Sequence, residues 1–370
     1  MSINIGFDAK RYFFNNSGLG NYSRSSIYLL SKYFSEDNHV LFTPKVPENV
    51  NINNSQIRIP KGISLLSPSL WRSYAMSKDI RKSGVEIYHG LSNELPADIK
   101  KAGCRSVVTL HDLIFVHMPH LYKPADRIIY THKYKRSCIN ADRIIAISKQ
   151  TKDDLVNIWN INPNKIDIVY QGCSDIFYNK ASKEEIDNVT KKYSLPDEYI
   201  LSVGSIEERK NLLLTVRAMA EGGIDIPLVG CGRKTPYADQ IMEYAAKHGI
   251  ADKIHLIHNV AMCDLPAIYQ KASVSVYASK YEGFGIPIIE ALNSGTPTIT
   301  SRGGVFSETG GEACLYVDSS DVLEMTEALR LSLEDSEVRE TMIAKGYEYV
   351  KRFSDESVAT SLHNVYEKLL

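Results

Sequence analysis

An α/β protein of two doubly wound, Rossmann-like domains is what this sequence predicts, and three observations carry the prediction. The chain has 370 residues, too many for one ordinary core and suited to two, since domains usually run to roughly 100–200 residues. Short apolar runs alternate with amphipathic segments almost throughout, the pattern of parallel strands joined by helices that cover both faces of a sheet. The strands also fall into two series separated by a polar, lysine-rich stretch, so two sheets are expected rather than one.

The first series is expected at Ile3–Ala9, His39–Thr43, Glu86–His89, Ser106–His111, Arg143–Ser148 and Ile166–Tyr170. The second is expected at Tyr199–Val203, Ile226–Val229, Ile254–Ile257, Val274–Ala278, Pro297–Thr300 and Cys314–Val317. Helical periodicity fits between them, for example at Asn21–Tyr33, Pro124–Asn140, Asn211–Glu221 and Pro236–His248. Three further helical patterns close the chain at Ser320–Asp335, Ser336–Phe353 and Asp355–Leu370, the last capped by Ser354-Asp355. The boundary is expected in Gly172–Pro196, giving domains at 1–175 and 176–354, with the final helix, about 355–370, packing back on the first. Two such domains are expected to face one another across a central cleft with their strand C-terminal ends, and ligands bind in such a crevice. Residues just after strands are therefore the ones to read for chemistry.

Hydrophobic residues are 44% and charged residues 24% of the chain, a folded globular composition that excludes long disorder. The formal net charge is −1, but residues 1–175 carry 23 Lys+Arg against 15 Asp+Glu, a net of +8, leaving 20 against 29, a net of −9, for the remainder. A basic N-terminal half suits an anionic partner such as a lipid phosphate or a membrane surface. No dense Lys/Arg run accompanies it, and no nucleic-acid partner is expected. The six cysteines, Cys104, Cys138, Cys173, Cys231, Cys263 and Cys314, include no CxxC pair, so neither zinc nor a redox pair is supported. The N-terminus reads as a strand and not a signal peptide, and no apolar run approaches the ~20 residues that span a bilayer. The expected location is the cytoplasm, with peripheral contact at the inner face of the membrane left open.

The most informative stretch is Tyr281-Glu-Gly-Phe-Gly-Ile-Pro-Ile-Ile-Glu290-Ala-Leu, directly after an expected strand. Gly283 and Gly285 let backbone approach a ligand closely. Pro287 suits a first helical turn, so a helix is expected from about Gly285 through Asn293, stopped by Gly295. Its N-terminus offers unpaired amides and partial positive charge, a natural phosphate site, yet Glu282 and Glu290 flank it. Phosphate on the amides of Gly283, Phe284, Gly285 and Ile286, with hydroxyls at both carboxylates, describes a sugar nucleotide. Either glutamate alone would read as a solvated loop residue or a complement to the helix dipole; the whole pattern argues otherwise.

Two glutamates with seven residues between them, set in EGFGIPIIEA, resemble the signature of retaining glycosyltransferases of GT-B fold, family 4 of the sequence-based classification. The resemblance covers nearly the whole chain and is strongest from Tyr199 to Val317. It implies that Glu282 binds donor-sugar hydroxyls, that Glu290 holds the ribose hydroxyls, that the N-terminal domain serves the acceptor and that the C-terminal domain binds the nucleotide sugar.

Other strand ends extend this reading. In Val203-Gly-Ser-Ile-Glu-Glu-Arg209-Lys210-Asn211 two adjacent cations open a helix, where they are unfavourable for the dipole but suited to a diphosphate. Charge grows on the leaving diphosphate as its bond to the sugar breaks, and fixed cations would stabilise it; the family places an Arg–Lys pair here for that purpose. Gly18 and Gly20 follow the first strand in an incomplete GxGxxG, with Ser23 in place of the last glycine. The second strand ends Phe42-Thr43-Pro44 without the acidic residue a nicotinamide site needs. The family's glycine-rich loop here approaches the donor phosphates. His111 ends another strand, where the family often has a histidine that contacts the donor sugar. Asp112 and His89 are candidates near the acceptor, and Val260 lies in a loop comparable to those with which the family reads the base. Trp71-Arg72-Ser-Tyr74 and Tyr122-Lys123 are further candidates for an acceptor lining.

The resulting expectation is a retaining hexosyltransferase in which the acceptor attacks from the face the diphosphate leaves, the leaving phosphate taking the acceptor proton. No metal or other cofactor is expected, because Arg209, Lys210 and helix amides replace it. The stretch His111-Asp-Leu-Ile-Phe…His120-Leu-Tyr is similar to bacterial mannosyltransferases of surface polysaccharide, which favours GDP-mannose over UDP-glucose or UDP-N-acetylglucosamine and a saccharide or lipid-linked acceptor. A nucleotide-sugar-binding protein without transfer, and another GT-B enzyme such as an epimerase or phosphorylase, remain as alternatives.

Overall fold

The computed structural model describes residues 2–46, 57–60, 67 and 70–370. The chain divides into two compact units, Met1–Gln171 together with Asp355–Leu370, and Gly172–Ser354.

In the first unit the described residues form seven strands: β1 Asn4–Asp8, β2 Asn38–Phe42, β3 Ile57–Arg58, β4 Ile87–Gly90, β5 Arg105–Leu110, β6 Arg143–Ala146 and β7 Ile166–Ile168. They pair in parallel in the order β3-β2-β1-β4-β5-β6-β7. Strands such as β4, buried along its whole length, carry no polar alternation because helices cover both faces. The final helix, Asp355–Glu367, lies on the helix Gly18–Tyr33 through Leu29, Val358 and Ala359. His363 stacks on Phe34 at 3.7 Å and meets Asp37 at 3.0 Å.

In the second unit β8 Ile200–Val203, β9 Leu228–Cys231, β10 Ile254–Ile257, β11 Val274–Tyr277, β12 Thr298–Ser301 and β13 Cys314–Val317 are parallel in the order β10-β9-β8-β11-β12-β13. Sequence order reverses between β8 and β11, and between β1 and β4 in the first unit. Reversal sends the flanking connections to opposite faces and leaves a crevice at the strand C-terminal ends.

Several element ends differ from expectation for local reasons. The helix expected from Asn21 starts at Gly18, because Asn15 Oδ1 accepts the amides of Ser17 and Gly20 and winds the first turn. A Cβ on Gly20 would sit 1.8 Å from the Asn15 carbonyl oxygen, so this turn requires glycine. A short helix, Lys10–Phe14, precedes it. Strand β9 starts two residues late because Pro227 has no N–H for the ladder, although its carbonyl still accepts from Ile200. Asp321, not Ser320, caps the helix Val322–Glu334 by accepting the amides of Leu323 and Glu324. Among the described residues no helix is long and apolar enough to cross a membrane.

Candidate active site

The β8–β11 reversal brings together Arg209, Lys210 and Glu282 of the expected site residues, whereas Gly18, Gly20 and His111 belong to the first unit. After β8 the chain turns through a short helix, Glu208–Lys210, held by Asn211, whose left-handed backbone (φ 60°) aims its amide at the Ala278 and Ser319 carbonyls. After β11 the chain runs through Glu282 into the helix Ile286–Asn293. The two loops meet in one ion cluster. Arg209 Nη1 lies 2.6 Å from Glu282 Oε2, and Lys210 Nζ lies 2.6 Å from Glu282 Oε1. Arg209 also donates to the Tyr281 carbonyl and to Glu207.

Tyr277, the last residue of β11, completes the cluster. Lys210 donates to its hydroxyl at 2.5 Å, that hydroxyl donates to Glu282 Oε1 at 2.9 Å, and the ammonium sits 4.6 Å from the ring centroid. Sequence reasoning missed this residue. Its only signal was its place as the final residue of a strand that precedes a charged turn.

Burial opposes the charge on Glu282, but Lys210 and then Arg209 outweigh it and hold the carboxyl at about 2. A carboxyl lowered from 4.5 adds stability above that value, and the contribution disappears as pH falls through about 2. Burial lowers the Lys210 pKa, with Glu282 opposing that shift. Burial has the same sense at Arg209, where Glu282 prevails and raises it. Lys210 has three N–H donors and Arg209 five, so both keep donors beyond these bonds.

Glu290 is one turn into the helix and buried. Burial raises its pKa to about 7, against a hydrogen bond from the Tyr269 hydroxyl at 3.0 Å and the field of Lys210. Gly285 sits at the helix start with φ 129°, a backbone state other residues rarely adopt, and as glycine it offers no side chain to cap the helix amides. Phe284 is 3% exposed and its ring packs edge-on to Phe353 at 5.8 Å. Only its backbone can face a ligand. Gly283 is buried in the turn and Ile286 half-buried. Val260 is half-buried in the loop after β10, which is tied to the loop after β9 by His258 Nδ1 donating to the Gly232 carbonyl at 2.5 Å.

In the first unit His111 is 6% exposed at the end of β5. Its Nε2 meets the Leu91 carbonyl at 2.9 Å. A carbonyl only accepts, so the proton is assigned to Nε2 and Nδ1 is left as an acceptor. Burial holds the ring at about 4, neutral at physiological pH, with the Tyr22 ring edge-on at 4.7 Å. Asp112 Oδ1 accepts the Ile114 amide as a loop cap. Gly18 is exposed and nothing lies within 4 Å of a Cβ placed on it.

His89 must be corrected. It is fully buried, with Nδ1 on the Tyr366 hydroxyl at 2.7 Å and Nε2 on Thr109 at 2.8 Å, so no ring nitrogen remains for an acceptor. Trp71 is also buried and Arg72 half-buried. Trp71 donates to Asp79, and Arg72 bridges Asp8 at 2.5 Å and Glu94 at 2.9 Å. Tyr122 packs at the edge of the apolar core, whereas Tyr74 is exposed. Among the described residues no group of three or more His, Cys, Asp or Glu could hold a metal ion.

Comparison with known proteins matches two family models, one described as Glycosyltransferase Family 4 over residues 24–175 and one as Glycosyl transferases group 1 over residues 182–349. O-antigen chain mannosyltransferase B of Escherichia coli is 31% identical over 290 residues, 76% of this chain and 74% of that protein. O-antigen chain mannosyltransferase RfbU of Salmonella typhimurium is 27% identical over 259 residues, 70% of this chain and 68% of that protein. Among solved structures, sucrose-phosphate synthase from Thermosynechococcus elongatus superposes with a TM-score of 0.78 at 20% identity, covering 99% of both chains. Anabaena Alr3699/HepE in complex with UDP and glucose gives 0.76 at 14% identity, covering 99% of this chain and all of that one. These likenesses establish the GT-B fold.

Proposed function

This chain belongs to glycosyltransferase family 4, and from that premise we propose that it transfers mannose from GDP-mannose, with retention, to a saccharide or lipid-linked acceptor in surface-polysaccharide synthesis. The observation that carries the reading is the Arg209–Glu282–Lys210 cluster at the β8–β11 reversal, beside the start of the helix Ile286–Asn293. The names of the Escherichia coli and Salmonella relatives favour mannose.

In this reading the remaining donors of Arg209 and Lys210 and the amides from Gly283 to Ile286 hold the diphosphate, and Gly18 and Gly20 approach it. Glu282, kept ionised by its two cations, accepts hydrogen bonds from sugar hydroxyls. Glu290 takes the ribose hydroxyls, His111 Nδ1 accepts from a sugar hydroxyl, and Val260 lies by the base. Asp112 is assigned to the acceptor. As the bond from the anomeric carbon to the diphosphate oxygen breaks, negative charge collects beside fixed cations that need no reorganisation. The acceptor hydroxyl attacks from the same face, and its proton passes to the leaving phosphate.

A thermal-shift panel of GDP-mannose, UDP-glucose, UDP-N-acetylglucosamine and ADP-glucose tests the donor, because a ligand of the folded state raises its stability by about 2.7 kcal/mol at a hundred times Kd. GDP-mannose is expected to give the largest shift, and the product anomer read by NMR to match the donor. A larger shift with a UDP sugar, or hydrolysis without transfer to any acceptor, would overturn the assignment.

Two further results are expected. Only ionised Glu290 can accept from both ribose hydroxyls, so donor affinity should rise as pH climbs through about 7. Glu290→Gln should bind weakly at every pH, and calorimetry of donor binding from pH 6 to 8 reads this. Tyr277→Phe removes a buried hydroxyl shared by two charged groups, an interaction worth about 1.5–3 kcal/mol. The kcat should drop roughly ten- to a hundredfold with little change in KM; an unchanged kcat would remove Tyr277 from the machinery.

A further inference from the structure

The first unit carries a large open groove that takes no part in the donor site. It is formed on the outer face of the helix Pro124–Asn140 and by the C-terminal end of the helix Lys149–Trp159, and its volume is about 920 Å³. That volume is at the upper end of the roughly 300–1,000 Å³ of small-molecule sites. Only Ser137 and Cys138 of the seventeen-residue first helix are buried. Positions 128, 132, 135, 136 and 139 fall at helical spacing on one side of it and line the groove.

Two chemistries alternate along that side. Ile128 is 71% exposed and Ile139 58% exposed, and Ile158 and Trp159 extend the apolar wall. Arg127, Lys135 and Arg136 also line the groove. None of the three has a carboxylate partner among the described residues, and Arg127 Nε is buried with no hydrogen-bond partner. Arg136 is held 5.9 Å from the Tyr74 ring centroid. An apolar trough with unpaired cations along it complements a hydrocarbon chain that ends in an anion.

We propose that this groove binds one hydrocarbon chain of a phosphate-bearing lipid, its phosphate on Arg127, Lys135 and Arg136. Cations beside an anionic membrane surface add to the contact made by the apolar trough. A second copy of the protein fits less well, because an isologous contact would bring like charges together.

The chain has two tryptophans, Trp71 and Trp159; both are buried, 1% and 5% exposed, and of the two Trp159 lines the groove. Vesicles of phosphatidylcholine, with or without phosphatidylglycerol carrying bromine on its acyl chains, therefore give a local reading with the full chain. The brominated anionic vesicles should quench tryptophan fluorescence, Trp159→Phe should lose the quenching, and inorganic phosphate should not reproduce it. Replacing Arg127, Lys135 and Arg136 by Gln should weaken vesicle binding about fivefold per cation. Ile128→Asn with Ile139→Asn should weaken it at least tenfold with every cation retained. Both sets should leave transfer to a short water-soluble acceptor unchanged, and vesicle binding reads the groove even if the transfer reading fails. Absence of binding to anionic vesicles, binding unaffected by the isoleucine changes, or self-association of the native chain abolished by the same substitutions would each overturn the proposal.

Discussion

Glu282→Gln is expected to lower kcat by about 100- to 1,000-fold, the loss typical of one preorganised electrostatic contact at a reacting centre. The side chain keeps its shape and an acceptor oxygen, so the loss reports charge and not size. The same change strips Lys210 and Arg209 of the carboxylate each meets at 2.6 Å. Breaking a buried pair by removing one partner costs about 3–5 kcal/mol, less where a neutral acceptor remains. A melting temperature lower by roughly 5–10 °C is therefore expected, with a folded protein at room temperature. Circular dichroism at both temperatures separates the two effects, and a variant that transfers sugar at the native rate would contradict the role given to Glu282.

Lys210→Ala should be as severe for kcat, about 100- to 1,000-fold, but by another route. The diphosphate loses a cation that is fixed from two sides, by Glu282 and by the Tyr277 hydroxyl. Arg209 keeps its own donors for the diphosphate but cannot also move into the place of Lys210, because it is held by the Tyr281 carbonyl and Glu207. KM for the donor should rise together with the fall in kcat, since the contact exists in both the bound and the reacting states and strengthens only in the latter. Steady-state kinetics over a donor series gives both numbers.

The parallel sheets were legible because buried parallel strands are short, continuous apolar runs, and the glutamate turn because glycine, proline and acid fall at fixed offsets between a strand and a helix. Burial was not legible at single polar positions. His89 resembles His111 in sequence, each at a strand end, yet one faces Tyr366 and Thr109 and the other keeps a ring nitrogen for a partner. Trp71 and Arg72 read as an acceptor lining, yet Trp71 is buried against Asp79 and Arg72 is held by Asp8 and Glu94, partners the local sequence does not announce. Phe284 sits inside the motif but belongs to the core beside Phe353. Tyr277 shows the limit most plainly: its role depends on Lys210, 67 residues away, and no local period encodes that pairing.

Calorimetric titration of GDP into the native protein and into Lys210→Ala decides whether the crossover of β8 and β11 is where a diphosphate sits. The account predicts at least a tenfold loss of affinity in the variant, with its melting curve still cooperative. Equal affinity in the two proteins would place the diphosphate elsewhere and contradict it.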